Sequence, residues 1–253
     1  MNIKARRPQL KHYFHPLRLK KPGIALGVSA FIYFTVNSRQ YPGFSQLTLM
    51  AGLVFLGLII YRLVSYFTAP PDATVDAWLA EDIEKLVKDS YQKLGIEKAE
   101  GVTAPLVISA PVYWRQVRGI DMKDIGLRKG KDKMLRFSVY RITIFHLSEY
   151  ILASYSCNYN FLRGIALNEM THEYHYKDVV SVSTKESSSN YTMPDGKKMV
   201  HAQEFKLSVA SGESIEVIVN LYTVAESKKA ELPPTGAEKA VSVIRNMLRA
   251  KKV

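Results

Sequence analysis

From Gln46 to Phe67 the chain reads QLTLMAGLVFLGLIIYRLVSYF. It is apolar on every side of a helix, and its only charge, Arg62, lies near its end. A helix rises ~1.5 Å per residue and a hydrocarbon core is ~30 Å thick, so about 20 apolar residues cross it. The stretch therefore predicts a membrane-spanning helix. A shorter apolar run, Gly23–Val36, comes before it. Leu17 and Leu19 extend that run, with Arg18, Lys20 and Lys21 reaching back to the headgroups. The connector Asn37–Ser45 holds the turn pair Pro42-Gly43 and is short enough to join two antiparallel helices. The pattern predicts a transmembrane hairpin over residues 23–69. A cleaved signal peptide is the alternative for the first run, but no small-x-small cleavage site follows it.

Beyond Pro70-Pro71 the period changes. Val75, Trp78, Leu79, Ile83, Leu86, Val87, Tyr91 and Leu94 recur at three and four, one apolar stripe on a helix within a linker, residues 70–103. Asp72 or Thr74 is its expected cap and Gly95 its stop. That stripe packs either on the sheet that follows or on a partner, which makes Trp78 and Tyr91 candidate partner-binding residues. From Ala104 the grammar is that of strands. Leu106–Trp114, Leu135–His146, Tyr150–Phe161, Gly164–Tyr174 and Asp178–Glu186 are rich in β-branched and aromatic residues. Phe205, Leu207 and Val209 alternate, Ser211-Gly212 turns, and Ile215, Val217, Val219 and Leu221 alternate in return. A last helix follows. Thr235 and Glu238 have capping-box spacing, and Ala240, Val241, Ile244, Met247 and Leu248 form its stripe.

About seven strands and then one amphipathic helix, over residues 104–253, is the element order of the pleckstrin-homology superfold. Two patches add to the likeness. Arg141–Ser154, RITIFHLSEYILAS, resembles its strand–turn–strand, and Tyr176–Ser183, YKDVVSVS, resembles a later strand. The resemblance implies a barrel of two bent sheets closed by the C-terminal helix, and a role in binding or scaffolding rather than catalysis. The expected fold class is thus membrane-anchored α+β: two transmembrane helices, then a β-rich barrel.

Charge changes the picture at the N-terminus. The net charge is +12, yet Lys4, Arg6, Arg7, Lys11, Arg18, Lys20 and Lys21 crowd an arm, residues 1–22, that contains no acid. Pro8, Pro16 and Pro22 argue against a long regular helix there, and Tyr13, Phe14 and His15 suit a membrane interface. Such an arm reports topology rather than nucleic-acid binding. It places the N-terminus and the C-terminal domain in the cytoplasm, most simply at a bacterial inner membrane. Only the reverse orientation would give meaning to the sequon at Asn190.

Candidate chemistry is sparse. One cysteine, Cys157, excludes an internal disulfide and a cysteine zinc site. His172 and His175 lack zinc spacing and fall on opposite faces of a strand. No metal, cofactor, catalytic residue, nucleic acid or small-molecule substrate is expected. The basic segment Gly126–Arg136 offers Arg128, Lys129, Lys131, Lys133 and Arg136 as a candidate anionic-surface-binding set. The resemblance implies that this segment is a loop between the first two strands, where lipid-binding members carry basic residues. This chain lacks their first-strand lysine and their basic-x-Arg spacing. The expected function is a membrane scaffold that recruits protein partners or a second copy. The alternatives are sensing of anionic lipid or an accessory role in a transport or secretion complex.

Overall fold

A computed structural model describes residues 3–14, 20–35, 42–96, 103–188 and 191–251. Residues 37–41 of the predicted connector and residue 190 of the sequon lie outside the described residues. The chain divides into two compact units, Met1–Pro70 and Pro71–Val253.

The first unit is helical. Helix α1 (Ile3–Phe14) forms where the arm's prolines predict irregular chain. Pro8 withholds one backbone donor. Leu10, Tyr13 and Phe14, spaced as one helix face, are nevertheless buried, and that burial outweighs the lost bond. Helix α2 (Lys20–Thr35) has 16 residues, ~24 Å, and accepts Pro22 in its first turn, where no donor is needed. Helix α3 (Pro42–Phe67) has 26 residues, ~39 Å. The sequence predicts two spans. Among the described residues only one helix is long and apolar enough to cross a membrane, over Gln46–Val64, with a mean hydropathy of 2.2. Helices α2 and α3 pack together where Gly52 faces α2: a Cβ there would stand 3.8 Å from Ser29 Cβ. Hydroxyls on these helices bond back to their own backbone, as Ser29 Oγ does to Ala25 O at 2.9 Å and Thr68 Oγ1 to Val64 O at 2.9 Å. The hydroxyl hydrogens of Ser29 and Thr68 are thereby satisfied by the chain's own backbone.

The second unit is α+β. Helix α4 (Asp72–Leu94) begins earlier than its stripe suggests. Pro71, not Asp72 or Thr74, holds the cap position and offers no side-chain acceptor, and Asp72 accepts from Lys131 N instead. Gly95, at φ +65°, closes it as expected. Among the described residues nine strands follow: β1 (Leu106–Pro111), β2 (Leu127–Lys129), β3 (Leu135–Phe137), β4 (Val139–Leu147), β5 (Ile151–Asn160), β6 (Ile165–His175), β7 (Val179–Ser187), β8 (Ala202–Val209) and β9 (Ser214–Asn220). The predicted strand Leu135–His146 breaks at Ser138, whose hydroxyl donates to Asp124 O and accepts from Gly126 N at 2.6 Å. Two short helices of the chain's end, α5 (Tyr222–Lys228) and α6 (Ala237–Lys251), complete the unit. The side chain of Thr235 accepts from Ala237 N at 3.4 Å rather than forming the full box with Glu238.

The predicted closed barrel does not form among the described residues. Antiparallel strands make three sheets, ordered β1-β4-β5-β6, β2-β3 and β7-β8-β9. The 3-10 turn Tyr176–Asp178 carries the chain from β6 to β7, so these consecutive strands do not pair. Between the two larger sheets and α6 lies the main core. It takes Phe145, Leu147 and Leu152 from one sheet, Phe205, Leu207 and Val217 from the other, and Val241 and Ile244 from α6. Phe145 and Phe205 meet edge-to-face at 5.8 Å. The opposite face of β4 and β5 is covered by α4. Strand β5 is therefore buried on both faces, Tyr155, Cys157 and Tyr159 toward one side and Leu152, Ser154 and Ser156 toward the other.

Candidate functional site

The basic segment is a hairpin. Strands β2 and β3 pair Leu127 with Phe137 and Lys129 with Leu135. Lys133 turns the chain at φ +65°, and Asp132 Oδ1 accepts from Met134 N at 3.0 Å. Gly130 is required by crowding, since a Cβ there would come within 2.2 Å of Arg136 Nη1 and 2.8 Å of Asp72 Oδ2.

Arg136 departs from its predicted role. Its side chain is only 5% exposed and grips Asp76 with two bonds of 2.7 Å, Nε to Oδ1 and Nη2 to Oδ2. It also donates to both oxygens of Asp132, at 3.0 and 2.8 Å, and Asp72 stands 4.0 Å away. The guanidinium holds the Asp132 carboxyl down at about 2. A buried guanidinium ringed by three carboxylates is a structural clamp and is not available to an external anion. The clamp fixes the hairpin to the first turn of α4, where Asp72 Oδ2 also accepts from Lys131 N at 2.9 Å.

The remaining basic residues divide. Lys129 Nζ donates to Lys229 O at 2.8 Å and Lys228 O at 3.3 Å, capping the carbonyl end of α5. Arg128 is half-buried. Lys131 and Lys133 are exposed, and so are Lys228 and Lys229 beside the hairpin. The last two escaped the sequence reading because α5 has no long periodic pattern to mark it. What joins them to the hairpin is backbone pairing, Leu135 N to Glu231 O at 2.8 Å and Glu231 N to Lys133 O at 3.0 Å.

The predicted partner residues lie on α4. Trp78 is buried inside the unit, so it offers no surface to a partner. Tyr91 is half-buried, its ring 4.3 Å from that of His146. Polar links fasten the helix to the sheet. Tyr159 Oη donates to Asp82 Oδ2 at 2.7 Å, Ser90 Oγ lies 2.8 Å from His146 Nε2, and Lys93 pairs with Glu169. Ser90 gives its own hydrogen to Val87 O, so the His146 Nε2 hydrogen points to Ser90. Burial pushes His146 down to about 4.

A groove of about 410 Å³ runs between α6 and the three-stranded sheet, lined by Thr184, Gln203, Val219, Ser242, Arg245 and Arg249 among others. Arg245 Nη2 donates to Val182 O at 3.1 Å, holding the groove's wall to β7. Burial pushes the Cys157 thiol up to about 11, which keeps it protonated. Among the described residues no three of His, Cys, Asp and Glu gather as a metal site. The arrangement offers surfaces for binding: a lysine-rich hairpin tip and a polar groove. No family model matches the chain, and neither a curated protein nor a solved structure does.

Proposed function

We propose that the protein is a membrane-anchored scaffold whose second unit is a pleckstrin-homology-like domain that positions protein partners at a bacterial inner membrane. The observation that carries this reading is the double role of α4. Thr68, Ala69, Pro70 and Pro71 are the only residues between α3 and α4. Helix α4 is also a layer of the β-rich unit, clamped through Asp76, Asp82, Ser90 and Lys93. A helix that crosses a bilayer would thus continue, after a short link, into an integral part of the domain. Such a join limits the domain's reach and raises its effective concentration near the bilayer. The element order supports the family likeness: a four-stranded antiparallel sheet, a three-stranded one and a C-terminal helix packed between them.

In this reading α2 pairs with α3 as a hairpin, its ~24 Å completed by Lys21 reaching the headgroups. Both chain ends then lie in the cytoplasm. The groove beside α6 is the surface for a protein partner. Reporters fused at Gly43 and after Val253 test the topology: the first should be active outside the membrane, the second inside. A tail reporter active only outside would overturn the cytoplasmic assignment. A photocrosslinker at Ser242 tests the groove, and Arg245→Glu should abolish its partner adduct.

Attraction to anionic lipid is a second reading, favoured by the exposed Lys131, Lys133, Lys228 and Lys229. Each basic residue near an anionic surface contributes ~1 kcal/mol. Binding to anionic vesicles should weaken with salt and fail when these four become Glu. Equal binding to neutral vesicles would remove the lysines from the argument.

A further inference from the structure

One half of the β4–β5 face that carries the main core is polar. By the alternation of a strand, Arg141 and Thr143 share the face of Phe145 and Leu147 on β4. Strand β5 sets Asn158 opposite Arg141, Ser156 opposite Thr143 and Ser154 opposite Phe145. Ile108 and Ala110 of β1 flank the same positions and belong to the apolar core. Thr143 is 0% exposed, Ser154 1% and Ser156 3%. These are interior positions, where polar atoms ordinarily find partners.

Two of these atoms have none. Thr143 Oγ1 and Arg141 Nε are buried without a hydrogen-bond partner. The contact recorded for Arg141 is a long one, from Nη1 to Asn158 Oδ1 at 3.4 Å. No carboxylate among the described residues pairs with it. Arg136, on the neighbouring hairpin, shows how this chain treats a guanidinium whose role is internal: it surrounds it with Asp72, Asp76 and Asp132. A part-buried cation without a counter-ion, beside an interior hydroxyl without an acceptor, costs free energy that burial alone does not return. Both deficits are met at once by an oxygen anion, which accepts from the guanidinium and from the hydroxyl.

We infer that Arg141 and Thr143, with Ser154 and Ser156 beside them, form a binding site for the oxyanion group of a small ligand, a carboxylate or a phosphate. The approach is lateral. Strand β6 is the edge of its sheet, and its residues paired with this strip, Leu167, Met170 and His172, are half-buried or exposed. Phe145, Leu147 and Leu152 close the other end of the face and favour an apolar body on the ligand. The inference does not depend on membrane anchoring or on a protein partner.

Calorimetric titration of the full-length protein in neutral detergent tests it. Inorganic phosphate and acetate serve as probes, against chloride at equal ionic strength. Saturable binding of phosphate, acetate or both is expected, and which of them binds identifies the anion chemistry. Arg141→Gln should weaken that binding about ten- to a hundredfold, the usual worth of a hydrogen bond to a charged group. Thr143→Val keeps the side chain's shape and removes no internal hydrogen bond, so it guards against misfolding of the arginine variant; it too should weaken the anion. No saturable response beyond chloride in the native protein would overturn the proposal. So would binding that persists undiminished in both variants.

Discussion

Tyr159→Phe isolates one fastening of α4 and leaves the packing untouched. The ring stays, no cavity opens, and only the hydroxyl that donates to Asp82 at 2.7 Å is lost. Both residues are 4% exposed, so water cannot replace that donor freely. A hydrogen bond to a charged group is worth about 1.5–3 kcal/mol, and a buried acceptor left short bears most of that cost. With a urea dependence of about 2 kcal/mol per molar, a loss of about 2 kcal/mol lowers the unfolding midpoint by about 1 M. The assay is urea unfolding of the isolated unit 71–253, followed by circular dichroism. Asp82→Leu alone should also destabilise. The double variant should recover part of the sum, with a coupling of at least about 1 kcal/mol, because neither polar group is then stranded. A cost below about 0.5 kcal/mol for Tyr159→Phe, or strict additivity, would refute the lock between α4 and the sheet.

Acid should loosen the same helix. His146 titrates near 4 when folded and near 6.5 when unfolded, so the folded state binds fewer protons in between. Stability is therefore full above about pH 6.5 and falls as pH drops toward 4; His146→Phe should flatten the slope of the unfolding midpoint between about pH 6.5 and 5. Gly236→Ala should lower the melting temperature by several degrees, because Gly236 sits at φ +76° and a Cβ would lie 2.4 Å from Val107 O. Gly212→Ala, at φ +89° with nothing within 4 Å, should cost less. Ile244→Ala, at a fully buried position of α6, should cost about 2–5 kcal/mol in urea unfolding.

How much was legible follows from where each signal resides. Helix α3, the stripe of α4, the β8–β9 hairpin and the stripe of α6 carry their periods in consecutive residues, and each forms. Arg136 was opaque for the opposite reason. Its neighbours in sequence are lysines, which suggests a solvated loop, while the acid that grips it most closely, Asp76, lies sixty residues earlier. Trp78 and Tyr91 looked available because an amphipathic stripe does not state what covers it. Strand β5 shows the reverse difficulty. Alternation puts the polar Ser154 and Ser156 on one face, yet both are buried, because α4 takes one side of the sheet and the second sheet the other. The strands were legible; the number of layers around them was not.

Helix α4 also imposes an order on biosynthesis. It leaves the ribosome before any strand that covers it exists. The stripe needs β4 and β5, and the last fastening residue on β5, Tyr159, follows Leu94 by roughly 65 residues. At about 5–20 residues per second, that interval is roughly 3–13 s. Throughout it, Val75, Trp78 and Leu86 have no sheet to rest on, and the nascent helix sits just behind the long apolar helix α3. Translation speed across residues 95–160 therefore sets how long an unsheathed amphipathic helix waits, and slowing it there should favour aggregation or premature adsorption over docking.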